Sequence, residues 1–243
     1  MKFCFLIAFT AIGTAIADNA VIIDTQFSNA SAGQIIATAQ ADPPLVDPSR
    51  ISATPPSTIV AGTEPVGEMK PPFALITVKE RENNPAAPAN VGIVWNFDKV
   101  DLEPGRYRVR FRVGIVDVMS DAGNFVIGLL DGNGKQAQIH LGSIPHISFS
   151  DGKIRANNKT GIPYSPGSTY LLEMILDTKQ ATWSASVDGE SLQEEIALKP
   201  EVLEQLEGQL RIGSVGYFSL GGMDSSRPGS ILALGDVKME KLP

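Results

Sequence analysis

An all-β chain built as a two-sheet antiparallel sandwich is the fold class this sequence predicts. Three observations carry it. Hydrophobic residues alternate with polar ones in segments of about 8–12 residues, the spacing of short strands in sandwiches. Gly, Asp and Asn punctuate these segments where tight hairpins need positive φ. Only KPEVLEQLEG reads as a helix, a short one near 200–207 just after Pro200.

The chain has 243 residues and opens MKFCFLIAFTAIGTAIA. Lys2, the apolar run from Phe3 and the small residues of Ala15-Ile16-Ala17 have the layout of a secretory signal peptide cut near Ala17. The run is shorter than the roughly 20 apolar residues that a membrane span needs. The expectation is a signal peptide at 1–17 and one domain over 18–243, secreted or periplasmic and not membrane-spanning. The one cysteine, Cys4, lies inside the leader, so the exported chain has no thiol for a disulfide, a nucleophile or a metal. Loss of Lys2 takes the 20 basic residues to 19 against 27 acidic, a balance of −8. That charge excludes the general basic footprint of nucleic-acid binding.

Residues 20–40 read as one or two strands, AVIIDTQF and GQIIATA. Residues 41–72 are dense in proline, which fixes φ and removes a donor, so they predict a surface loop or edge segment. FALITVKE and VGIVWNFDKV then flank the loop RENNPAAPAN. In EPGRYRVRFRVGIVDV the alternation is unbroken. Tyr107, Val109, Phe111, Val113 and Ile115 face one way, and Arg106, Arg108, Arg110 and Arg112 the other. NFVIGLLD, a DGNG turn, KQAQIHLG and HISFSDGKIRA follow. STYLLEMILD and ATWSASVDG form a hairpin, and QLRIGSVGYFSL and SILALGDVKMEKL close the chain as strands. Trp95 and Trp183 sit in apolar alternation and read as core.

The stretch 164–189, with Tyr164-x-Pro166-Gly167-x-x-Tyr170, a strand, a short turn, a strand and Asp188-Gly189, resembles the central hairpin of concanavalin A-like sandwiches, laminin G-like domains among them. FVIGLLDGNGKQAQIHL, the Asp151-Gly152 turn of ISFSDGKI, and the terminal GDVKMEKL also fit that pattern, over roughly 73–240. The resemblance implies a jelly roll. It also implies a carbohydrate as the partner, acidic ones included, and it allows a structural calcium ion. No other cofactor is expected. Asp131-Gly132-Asn133-Gly134 lacks the full calcium loop with its closing Glu and reads as a hairpin turn.

A narrower resemblance is to alginate lyase-like polysaccharide lyases. Arg110-Phe111-Arg112-Val113, Gln138-Ile139-His140 and Tyr217-Phe218-Ser219-Leu220-Gly221 follow the order of that family's three motifs. The departures fall on the chemistry. Arg112 replaces the acid of the first motif and Ser219 the Lys of the third, while Met223 and Ser225 stand where the Tyr and Gln would be. Elimination needs a group to move the proton, and Met223 cannot do so.

Two sets of residues are therefore candidates for ligand contact. Gln138 and His140, two apart on one strand, share a face. They read as the solvent side of a strand or as polar groups in a groove. Two histidines without a third ligand make no zinc site. The four arginines, at about 6.6–6.8 Å per alternate position, form a row roughly 20 Å long. Arginine recognises carboxylates and sulfates bidentately. A solvated face paired with acids such as Glu173 and Asp177 is the simpler account of the row. No catalytic residue is assigned, and the metalloprotease, nucleophile-elbow and phosphate-loop motifs are missing. The function expected is a non-catalytic carbohydrate-binding sandwich. The alternatives are a divergent lyase of uronic-acid polymers acting through Gln138, His140 and the arginine row, and a structural or adhesive envelope protein.

Overall fold

The computed structural model describes residues 21–27, 31–34, 36, 48–53, 55–79, 91–96, 104–117, 125–131, 145–150, 152–156, 161–198, 216–222 and 231–243. These contain fifteen strands and no helix. The strands are β1 Val21–Thr25, β2 Pro48–Ala53, β3 Thr58–Ala61, β4 Ala74–Thr77, β5 Val91–Asn96, β6 Arg106–Ile115, β7 Phe125–Asp131 and β8 His146–Ser150. They continue with β9 Lys153–Ala156, β10 Ile162–Pro163, β11 Thr169–Asp177, β12 Thr182–Val187, β13 Glu190–Ala197, β14 Gly216–Gly222 and β15 Ile231–Leu242. The short helix expected at 200–207 lies outside the described residues.

Two antiparallel sheets hold all of them. The first runs β13-β12-β11-β6-β15-β4-β3, with β1 also paired to β15. The second runs β10-β9-β8-β7-β14-β5-β2. The chain passes between sheets at β1–β2, β2–β3, β4–β5, β5–β6, β6–β7, β10–β11, β13–β14 and β14–β15. Its last two strands insert between early ones, β14 between β5 and β7 and β15 between β4 and β6. This is a two-sheet sandwich of jelly-roll type, all-β as the alternation predicts.

The core is the layer between the sheets. Tyr107, Val109, Phe111, Val113 and Ile115 of β6 are all buried there, with Leu172, Met174, Trp183, Val187, Leu232, Leu234, Val237 and Met239 beside them. Ile93, Trp95, Ile147, Phe149 and Ile154 come from the second sheet. Each large side chain so buried is worth about 1.5–3 kcal/mol against exposure. Trp95 also carries a polar tie. Its Nε1 donates to Thr25 Oγ1 at 3.0 Å, joining β5 of one sheet to β1 of the other.

Besides the edge strands β2 and β3, which fall within the proline-dense 41–72 segment, two elements have no counterpart in the strand reading of the sequence. β13, ESLQEEIA, is three-eighths glutamate and its pairing with β12 shifts register twice, so no clean alternation announces it. β10 is two residues ending in Pro163 at the edge of the second sheet. Both sit at sheet edges, where charge, bulges and proline block pairing with another chain.

Residues 62–73 fold back over the open face of the first sheet. The bridge between Val66 and Met69 closes a small turn. Met69, Phe73 and Ala233 form a second, small apolar cluster with Val66 and Leu75. Glycine makes the seat for it. A Cβ on Gly114 would lie 2.7 Å from Val66 Cγ1 and 2.8 Å from Met69 Cε, and one on Gly235 would lie 2.7 Å from Met69 Sδ.

Candidate functional site

The arginine row lies on the face of β6 that points away from the core. Burial along the strand alternates, with the four arginines exposed or half-buried and the residues between them buried. Arg106 and Arg112, at the ends, have side chains 50% and 49% exposed. Arg108 and Arg110, in the middle, are 30% and 32% exposed.

The neighbouring strands decide what the row meets. On β11 the residues opposite Arg106, Arg108, Arg110 and Arg112 are Asp177, Ile175, Glu173 and Leu171. β12 extends these rows with Thr182, Ser184 and Ser186 opposite Asp177, Ile175 and Glu173. On β15, Glu240 stands opposite Arg108 and Lys238 opposite Arg110. Asp24 of β1 stands opposite Lys238.

A bulge puts the β15 acids there. Leu232 and Leu234 point into the core, and so do Val237 and Met239, three residues later rather than two. The register shift between Leu234 and Val237 absorbs the extra residue at Gly235-Asp236. Without it the side-chain period of two would turn Val237 and Met239 outward, with Lys238 and Glu240 in the core. With it, Asp236, Lys238 and Glu240 share the arginine face.

Glu240 is the centre of the network. Its side chain is 5% exposed. Oε1 accepts Arg108 Nε at 2.9 Å, Arg108 Nη2 at 2.5 Å and Arg110 Nη2 at 3.0 Å, while Oε2 lies 3.0 Å from Lys238 Nζ. Arg110 and Lys238 face each other directly, a like-charge pair that would be unfavourable by itself. The Glu240 carboxylate between them removes the conflict. Burial by itself raises the Glu240 carboxyl and is the largest single influence. The hydrogen bonds and charges of Lys238 and Arg108 together outweigh it and hold the group below the ordinary carboxylate range.

The remaining pairs are looser. Arg112 Nε donates to Asp236 Oδ1 at 3.2 Å with both side chains half-exposed. Arg108 Nε lies 3.9 Å from Glu173 Oε2, and Arg106 Nε lies 3.8 Å from Asp177 Oδ2. Asp177 is held by its own turn, since Oδ1 accepts the backbone N–H of Lys179 at 2.9 Å and of Gln180 at 2.8 Å. The face is therefore a fixed lattice of donors and acceptors. Ile175 and Leu171 give it an apolar flank and the β12 hydroxyls a polar one.

Glu173 and Asp177 meet the row in the geometry that cross-strand pairing suggests. Asp236, Lys238 and Glu240 went unrecognised in the sequence. The arginine partners of Asp236 and Glu240 lie more than 120 residues away. The available signal was the break in alternation at Gly235-Asp236, which reverses the face of every residue after it. The other candidates, Gln138 and His140, lie outside the described residues. His146 is on β8 of the second sheet and is buried. The lyase-like motif set is divided. Arg110 to Val113 belong to β6 in one sheet, and Tyr217 to Gly221 to β14 in the other. The core lies between them, so the arginine row and β14 do not border a common groove. Among the described residues no group of three or more His, Cys, Asp or Glu could hold a metal ion, and no helix is long and apolar enough to cross a membrane.

The strand order and pairing define a jelly-roll sandwich of the concanavalin A-like type. No protein-family model and no curated protein matches the chain. Among solved structures it is similar to the Trypanosoma rangeli sialidase in complex with 2,3-difluorosialic acid, at 12% identity and a TM-score of 0.53, over 92% of this chain and 31% of that one. The chain thus spans about a third of that sialidase. It is also similar, at 11% identity and a TM-score of 0.51, to a structure from work on the endo-acting O-glycanases that prominent human gut microbiota members express to initiate mucin breakdown. That match covers 92% of this chain and 100% of the other. At such identities the likeness is one of fold.

Proposed function

We propose that this is an exported, non-catalytic carbohydrate-binding sandwich, and that the arginine face of β6, β11 and β15 is its binding surface. The observation that carries the reading is the Glu240 network. A buried carboxylate gripping two arginines and a lysine holds long side chains in one arrangement on an accessible sheet face. Sugar recognition rewards such pre-ordering, because a ligand then loses less free energy to side-chain immobilisation. The fold supports it too, since both similar structures come from work on glycan-acting proteins, a sialidase and O-glycanases. Export rests on the leader at 1–17. The division of the lyase-like motifs between two sheets, with Met223 in place of a proton-transfer residue, supports a binding rather than a cleaving role.

The test is binding of the chain from Asp18 onward to immobilised polysaccharides, neutral and acidic, with an ultraviolet assay for unsaturated products on uronate polymers. Retention on at least one glycan with no absorbance rise is expected. An absorbance rise would restore the lyase reading. Failure to bind any glycan, with the protein retained in a washed envelope fraction, would favour the structural or adhesive one.

A further inference from the structure

We infer that the ligand of this face is an uncharged, hydroxyl-rich glycan rather than an acidic one; the inference rests on the carbohydrate-binding reading above. Four arginines side by side suggest an anion site, but the tertiary structure neutralises them. The cations on the face are Arg106, Arg108, Arg110, Arg112 and Lys238. Glu173, Asp177, Asp236 and Glu240 each lie within 4.0 Å of at least one of them. Asp24 stands opposite Lys238 and brings the acids to the same number as the cations. An incoming carboxylate or sulfate meets guanidiniums already facing Asp177 and Asp236 at the two accessible ends, and in the middle of the row it would have to displace an internal carboxylate from Arg108 or Arg110. It would then leave that carboxylate unpaired, and for Glu240 unpaired and buried, which is costly. Long-range attraction does not help, since the chain as a whole carries −7.

Hydroxyl groups meet no such conflict. Each can donate to a carboxylate oxygen and accept from a guanidinium N–H, and the face offers both at fixed positions. Arg106 and Arg112 keep about half of their side chains accessible, at the two ends of a row roughly 20 Å long. Ile175 and Leu171 of β11 lie beside the row and supply the apolar contact that the C–H face of a sugar ring requires. The lattice thus suits an extended neutral chain lying along β6.

Two measurements on the chain from Asp18 onward decide the matter. The first is affinity for neutral glucans, mannans, xylans and galactans, and for polyuronates and sulfated polysaccharides, at low and high salt. Expected is binding to a neutral glycan whose affinity changes by less than about twofold between low and high salt, since no ion pair forms on binding. The second uses Glu173→Gln, which removes a partly exposed acid whose contact with Arg108 is a loose 3.9 Å and leaves the face one charge positive. That variant should gain affinity for polyuronate at low salt by about threefold or more over wild type. Wild-type preference for an acidic polysaccharide, with affinity falling about tenfold or more at high salt, would overturn the inference and leave glycan binding standing. No gain in Glu173→Gln would also count against it. Failure of every glycan, neutral or acidic, would instead remove the carbohydrate-binding reading beneath it.

Discussion

Arg108 donates from both Nε and Nη2 to one oxygen of Glu240, which lies 132 residues further along the chain. The same carboxylate takes Arg110 and Lys238. It is thus the single group that reconciles three cations on adjacent strands, and its removal should be felt in stability. Glu240→Gln keeps the shape and removes the charge, leaving Arg108, Arg110 and Lys238 to repel one another. The expected loss is about 2 kcal/mol, read from urea unfolding.

The same group sets a pH dependence. Its folded carboxyl titrates below the ordinary value of 4.5, so the stability it contributes is fully present above that value. That contribution is lost as pH falls through the lower, folded value. Unfolding free energies measured from pH 7 down through the acid range should therefore decline more steeply in wild type than in Glu240→Gln. Parallel curves would remove Glu240 as the source.

Thr25 Oγ1 accepts the hydrogen bond from Trp95 Nε1, inside the core and between sheets. Thr25→Val keeps the volume and strands a buried N–H. A loss of about 1–3 kcal/mol is expected, with a shift in tryptophan emission as that indole loses its partner.

Gly114 and Gly235 both seat the 62–73 segment, but unequally. An alanine at 114 meets Val66 and Met69 together, whereas one at 235 meets chiefly the flexible Met69 side chain. Gly114→Ala should cost about 1–3 kcal/mol, and Gly235→Ala less. Chemical denaturation of the pair checks the order, and equal costs would contradict the seating described.

The proposed export signal at 1–17 predicts that expression of the full chain in an exporting host yields a product starting near Asp18. Intact-mass measurement of the exported protein checks this. An uncleaved product would point to an anchor instead of a signal.

Much of the fold is legible in local alternation. The outward row of Arg106 to Arg112 and the inward row of Tyr107 to Ile115 follow from the two-residue period of a strand. The hairpin of β11 and β12 follows from its turn chemistry, and both tryptophans are buried as their alternation suggests. β13 is not legible, because its glutamates and register shifts erase the period on which such reading depends. The bulge at Gly235-Asp236 is visible only as a break whose meaning depends on the neighbouring strand.

Sequence alone determined that the chain is strand-built and which side of β6 is charged. These follow from side-chain periodicity and short-range composition. Tertiary structure decided that the four arginines face Asp177, Glu173, Asp236 and Glu240 rather than open solvent. It also decided that β6 and β14 lie in different sheets. The reason is that strand pairing here is non-local. β15 reaches β6 across more than about 115 residues, and its register rests on one extra residue in a bulge. A row of arginines in a sequence is a statement about one strand, and whether it is an anion site or a neutral lattice is settled by its neighbours.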